Sequence, residues 1–231
     1  MKEFMPVENV IHAPELSRRP FLFHGFGNRH FHLNQLKTAG PGFEYVLMRQ
    51  VHSDIIYRLE TAPKEPPSGD ACITSTPGLL LIIQTADCLP LLMTCPERKV
   101  IGAGHCGWKG TAKGLAAKLA ENLMNEFGCR RENIIAVLGP CIQAHHYQVG
   151  EEVLAAFHEN GQNDAGFMKS SGRLFLDLKC ANRLQLESAG LQNIFSVGSG
   201  TYSQSRMYSY RRDGDSAGRM LSYIGIKKKT A

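Results

Sequence analysis

Among the side chains able to act as nucleophiles or metal ligands, Cys88 and His105 stand out by their settings. Ala86-Asp87-Cys88 follows an apolar run, and His105 sits within Gly104-His105-Cys106-Gly107-Trp108. Glycines 102, 104, 107 and 110 carry no side chains, so backbone or ligand can come close to that histidine. A thiol beside one imidazole suits a cysteine hydrolase, with Cys88 as nucleophile, His105 as base and no metal. With a second imidazole the pair becomes the donor set of an open catalytic zinc centre, three protein ligands plus water. The same set serves a copper centre of the two-histidine, one-cysteine type. Taken singly, each residue has an ordinary role, Cys88 as a small buried hydrophobe and His105 as a hydrogen-bonded turn residue.

His52 is the candidate for the second imidazole among nine histidines. It closes an expected strand, and Gln50, Ser53 and Asp54 flank it as sources of supporting hydrogen bonds. Its rivals are His24, His30, His32, His145 and His146. His30 and His32 share a face only if their segment is a strand, and its surroundings read as loop; His145-His146 falls in an expected loop after Gly139-Pro140-Cys141.

The elements that must position these residues follow from apolar patterning. Glu44–Val51 and Leu79–Thr85 read as central strands, the second as a continuous apolar run buried on both faces. Pro90–Cys95 and Val100–Gly104 read as a hairpin closed by Pro96-Glu97-Arg98-Lys99. If Cys95 pairs with Val100, Pro90 falls opposite His105, and Cys88 lies two residues further, within diagonal reach. After His105, Leu115, Leu119, Leu123 and Phe127 recur at four-residue intervals, predicting a helix over 110–127 with a left-handed cap at Gly128. A strand over 134–138 and helices over 151–158 and 177–189 complete a mixed pattern. Hairpin-joined strands favour α+β over alternating βαβ, in one domain spanning residues 1–231 without a linker or repeat.

Composition narrows the function classes. A charge of +5 spread over 231 residues is too diffuse for a nucleic-acid footprint and leaves room for a small anionic substrate. Seven cysteines, an odd number scattered through apolar segments, suggest reduced thiols. The N-terminal stretch is polar, and the longest aliphatic run, Leu79–Ile83, is too short to span a bilayer. A soluble cytoplasmic protein without membrane partners is expected; the oligomeric state is left open.

At these residues the chain resembles the YfiH-like family, also called the laccase-domain or multicopper polyphenol oxidase family, several members of which are described as purine nucleoside phosphorylases. The resemblance runs through His24-Gly25-Phe26, Gln50-Val51-His52, Ala86-Asp87-Cys88-Leu89-Pro90, residues 104–110, Leu138-Gly139-Pro140-Cys141-Ile142, Tyr147-Gln148-Val149-Gly150 and residues 208–214. It implies a metal, zinc or alternatively copper, held by His52, Cys88 and His105. It also implies stacked mixed β-sheets flanked by helices in an αββα-type arrangement. The implied reaction is phosphorolysis of adenosine, inosine and methylthioadenosine, with some adenosine deamination. The chain departs from the family in a shortened segment between His32 and Glu44. Cys106, Lys109 and Gly200 also replace commoner family residues.

Phosphorolysis needs an anion held against C1′ of the ribose, and Arg211 and Arg212 offer bidentate guanidinium donors for phosphate. Asp87 is a candidate acid or base, or else a turn residue bonded to its own backbone. A laccase-like multicopper cluster would require about ten imidazoles, more than this chain possesses. A mononuclear copper site remains compatible.

Overall fold

The computed structural model describes residues 8–162, 164 and 166–228; the start of the polar N-terminal stretch and Lys229 of the basic tail lie outside them. In chain order the strands are β1 (Val10–Ile11), β2 (Leu22–Gly27), β3 (Glu44–Leu47), β4 (Ile56–Arg58), β5 (Ala71–Thr74), β6 (Leu79–Thr85) and β7 (Leu89–Cys95). They continue as β8 (Val100–Cys106), β9 (Ile135–Leu138), β10 (Gln148–Val149), β11 (Phe167–Ser170), β12 (Arg173–Leu176), β13 (Asn193–Ser196) and β14 (Met220–Ile226). The helices are α1 (Pro14–Ser17), α2 (Leu33–Ala39), α3 (Trp108–Ala112), α4 (Leu115–Phe127), α5 (Glu151–Glu159), α6 (Leu178–Ser188) and α7 (Tyr210–Asp213).

Two mixed sheets face each other, one ordered β1-β2-β14-β6-β3 and the other β13-β9-β7-β8-β5-β4; a small third sheet runs β10-β12-β11. Side chains alternate across a strand. Leu79, Leu81 and Ile83 of β6 therefore point between the sheets and meet Leu92, Ile101, Ala103 and Val137 of the opposite sheet. Leu80 and Ile82 point outward and pack with Phe23, Tyr223 and Leu36 of α2. On the far side, Leu115, Leu119 and Leu123 of α4 and Leu186 of α6 cover Ile73, Leu91 and Met93. The result is the expected α+β arrangement, helix, sheet, sheet, helix, because two-faced apolar strands need cover on both sides.

Two expected elements are corrected in detail. Strand β3 stops at Leu47 and occupies an edge of its sheet, not the centre; beyond it only Arg49 bridges Ser68. The helix over 110–127 is two helices, because Gly114 adopts φ +77 between α3 and α4. Such a left-handed residue interrupts the helical hydrogen-bond ladder, and glycine takes that conformation without a Cβ clash. Gly128 does form the anticipated left-handed cap at φ 62, donating its N–H to Met124. Among the described residues, no helix is long and apolar enough to cross a membrane.

Candidate metal centre

The β7–β8 hairpin has the register expected from its turn: Cys95 pairs with Val100 and Pro90 with His105. Cys88 sits just before β7, on the short connection that carries the chain from β6 in one sheet to β7 in the other. His105 is the second-last residue of β8 and is 3% exposed. His52 approaches from the loop between β3 and β4, with φ 57, and its ring centroid lies 4.9 Å from that of His105. The donor atoms of His52, Cys88 and His105 all lie within 4.8 Å of one another. Among the described residues they are the one such group of three.

Asp70, a residue that sequence reasoning missed, organises two of the three. Its Oδ1 lies 2.8 Å from His105 Nδ1 and accepts the His52 backbone N–H at 3.1 Å. Its Oδ2 accepts the N–H of Val51 at 3.2 Å, the N–H of Ser53 at 2.6 Å and the Ser53 hydroxyl at 2.7 Å. The Asp70 carbonyl also accepts the His105 N–H at 2.7 Å. Full burial opposes a charged carboxylate, but His105 and Ser53 outweigh it and hold the group down at about 2. Of the neighbours of His52 expected to supply supporting bonds, Ser53 does so through Asp70, and the other two are engaged elsewhere. Gln50 pairs both ways with the Gln84 backbone, Ser53 binds Asp70, and Asp54 meets Lys118. No local motif marks Asp70; the only hint is a lone acidic residue directly before a strand that is buried throughout.

The donor set fits a metal. With Nδ1 of His105 occupied by Asp70, its other ring nitrogen is the one turned toward Cys88 and able to exchange its proton for a cation, the usual carboxylate–histidine–metal arrangement. Gly107 keeps the space clear: a Cβ there would stand 3.0 Å from Cys88 Sγ and 3.1 Å from His52 Cδ2. Burial opposes ionisation of Cys88, but His105 and His52 overcome it and hold the thiol below its ordinary range. His105 is shifted the opposite way: burial disfavours its charge, while Cys88 and Asp70 favour it more strongly.

The triad lies on the wall of a cavity of about 850 Å³ that is also lined by Arg49, Trp108, Tyr147, Tyr210, Arg211 and Arg219. Of the two expected phosphate ligands, Arg211 reaches this wall and Arg212 does not. Arg212 spends its guanidinium on the carbonyls of Thr201, Tyr202, Gln204 and Met207 and on Asp213, tying its own loop together. Adjacent residues of a short helix point about 100° apart, so one arginine facing the cavity turns the next away. Asp87, at φ 83, does not bond its own turn: its carboxylate accepts from Thr201, Ser209 and the Arg211 backbone. The rival histidines are placed elsewhere. His24 is buried in β2, His32 caps α2, and His146 stacks on Tyr202 with His145 tilted against it.

A family model described as "Multi-copper polyphenol oxidoreductase laccase" matches residues 27–227. The chain belongs to this laccase-domain, YfiH-like family. Among its YfiH-like relatives, a protein of Deinococcus radiodurans named purine nucleoside phosphorylase is 44% identical over 198 residues, covering 83% of this chain and 75% of the relative. The Escherichia coli protein named purine nucleoside phosphorylase YfiH is 34% identical over 183 residues, 78% of this chain and 73% of that one. The solved YfiH structure from Bacillus licheniformis superposes with a TM-score of 0.86 at 26% identity, covering 95% and 97% of the two chains. The YfiH-like architecture is thus shared, and relatives bearing enzyme names make this protein an enzyme.

Proposed function

We propose that the protein is a metal-dependent purine nucleoside phosphorylase, converting adenosine, inosine or methylthioadenosine plus phosphate into free base and sugar 1-phosphate. One observation carries this function: the donors of His52, Cys88 and His105 converge within 4.8 Å on the wall of a cavity that also holds arginines and aromatic rings. A volume of about 850 Å³ suits a nucleoside together with phosphate. The relatives named purine nucleoside phosphorylase support the same reaction.

In phosphorolysis a phosphate oxygen forms a bond to C1′ as the bond from C1′ to the base breaks. The electron pair leaves with the base, which gains a proton, while positive charge builds on the ribose. Arg211 is assigned to the phosphate, with Arg49 and Arg219 adding cationic charge along the same wall. Arg212 supports Arg211 by fixing the loop that presents it. Trp108 and Tyr147, which line the cavity, are assigned to the base, and burial keeps the Tyr147 phenol protonated, hence a hydrogen-bond donor. Held by His52, Cys88 and His105, a divalent metal, zinc by preference, would supply Lewis-acid polarisation of a phosphate oxygen or an activated water, the latter opening deamination.

A mononuclear copper oxidase is the second function, favoured by the two-histidine, one-cysteine donor set. A metal-free Cys88–His105 hydrolase has no use for His52 in the cluster.

The deciding experiment follows inosine and adenosine chromatographically, with and without phosphate, using metal-analysed wild type and Cys88→Ala. Phosphorylase function requires base release that depends on phosphate and disappears with the metal and with Cys88. Turnover surviving thorough chelation overturns it in favour of the thiol hydrolase. Phenol oxidation without any phosphorolysis in the copper form overturns it in favour of the oxidase.

A further inference from the structure

We propose that Asp70 is the positioning residue of the metal centre: one buried carboxylate sets the imidazole tautomer of His105 and clamps the backbone that presents His52. This inference rests on the metal-binding function of His52, Cys88 and His105.

Asp70 is fully buried and collects five donors from four residues. A fully buried charge is expensive and persists only where its hydrogen bonds are complete. Here Oδ1 accepts from two groups and Oδ2 from three. The Oδ1 contact at 2.8 Å places the ring proton of His105 on Nδ1, leaving the other nitrogen with the lone pair a metal requires. The same oxygen and its neighbour accept successive backbone N–H groups of residues 51, 52 and 53. Three consecutive N–H groups turned to one anion make a nest, the conformation in which His52 takes φ 57. A histidine pays steric strain in that region, so an outside group must hold it there.

Position in the fold explains why one residue can do both. Asp70 directly precedes β5, and β5 pairs with β8 so that Ala71 lies opposite Gly104. This pairing puts Asp70 beside His105, while Gly69 N–H to Arg49 carbonyl and Asp70 N–H to Ile55 carbonyl tie it to the segment carrying His52.

The substitution Asp70→Asn keeps the shape but must turn an NH₂ toward N–H donors on one side. Zinc affinity, measured by competition with a chromophoric chelator, is expected to fall 10–100-fold. The thiolate-to-metal band of the cobalt-loaded protein is expected to shift in the same variant. Ser53→Ala, which removes one hydroxyl donor to the carboxylate and one acceptor for the Ile55 N–H but spares the His105 contact, is expected to lower zinc affinity less than Asp70→Asn does. A purely architectural Asp70 predicts instead a lower melting temperature for Asp70→Asn with zinc affinity and cobalt spectrum unchanged, and that result overturns the proposal. Nitrogen-15 NMR of zinc-loaded wild type provides a test independent of any variant's folding. His105 protonated at Nδ1 supports the assignment; a bare Nδ1 defeats it. Wild-type protein that takes up no metal would sink both this role and the metal centre, whereas equal affinities in wild type and Asp70→Asn would sink the role of Asp70 alone.

Discussion

Asp87 Oδ2 accepts the backbone N–H of Arg211 at 2.7 Å, across 124 positions of chain. The residue next to Cys88 thereby holds the arginine we assign to phosphate, and the Thr201 and Ser209 hydroxyls complete the carboxylate's shell. Asp87→Ala strands those donors, so a stability loss of about 2–4 kcal/mol is expected in urea denaturation. The KM for phosphate should rise more than that for inosine. In an Arg211→Ala background the phosphate effect of Asp87→Ala should largely vanish, since the two act through one contact. Additive effects on the phosphate KM would show that Asp87 does not work through Arg211.

Gly107→Ala isolates the space between the ligands. Gly107 has φ −74, which alanine adopts without backbone strain, so any fall in the metal-free melting temperature reports only the crowding of Cys88 and His52. The new methyl group would stand 3.0 Å from Cys88 Sγ and 3.1 Å from His52 Cδ2, and zinc affinity should fall at least tenfold, by about 1.4 kcal/mol or more. Wild-type affinity in this variant would mean that the ligands open outward and that the glycine is incidental.

His24 makes stability depend on pH. Burial first, then the neighbouring charges of His12 and Lys227, push its imidazole from the ordinary 6.5 down to about 4. Above pH 6.5 both folded and unfolded chains carry it neutral. Between pH 6.5 and 4 the unfolded chain binds the proton more readily, so stability falls as pH falls; below 4 this group causes no further loss. The span corresponds to about 3 kcal/mol. Urea denaturation from pH 7.5 to 4.5 should show that decline, and His24→Gln should flatten it. An unchanged slope in the variant would place the effect on other groups.

Cys88 should be the reactive thiol of the metal-free protein. Its imidazole neighbours lower it, whereas burial raises Cys72, Cys106 and Cys141. Iodoacetamide should modify Cys88 selectively, with a pH midpoint below about 8.5, the value of a free thiol. Zinc loading should protect it. Mass spectrometry of the alkylated peptide reads both outcomes, and a midpoint at or above that of free cysteine would contradict the paired arrangement.

The parts of the fold that local spacing controls were legible. Counting back from the turn at Pro96–Lys99 put Pro90 against His105, as the ladder does. The four-residue spacing of leucines identified α4 and its cap. Long-range partners were not legible. β3 looks central by composition, yet its position at the edge depends on a parallel pairing with β6 that no local pattern encodes. Arg211 and Arg212 are equivalent as letters, and only the direction of a short helix separates them. Asp70 is invisible for the same reason, since its donors come from residues 17 to 35 positions away.

The β7–β8 ladder also makes the meeting of two ligands a matter of parity. One residue added within Val100–Gly104 would send the His105 ring to the opposite face of the sheet, whereas one added at Pro96–Lys99 falls outside the paired region. The first insertion should abolish zinc uptake and the second should spare it, as metal analysis of the two proteins would reveal. The tip of this hairpin is therefore a natural port for grafting a fluorophore or affinity handle, remote from the chemistry and indifferent to its geometry.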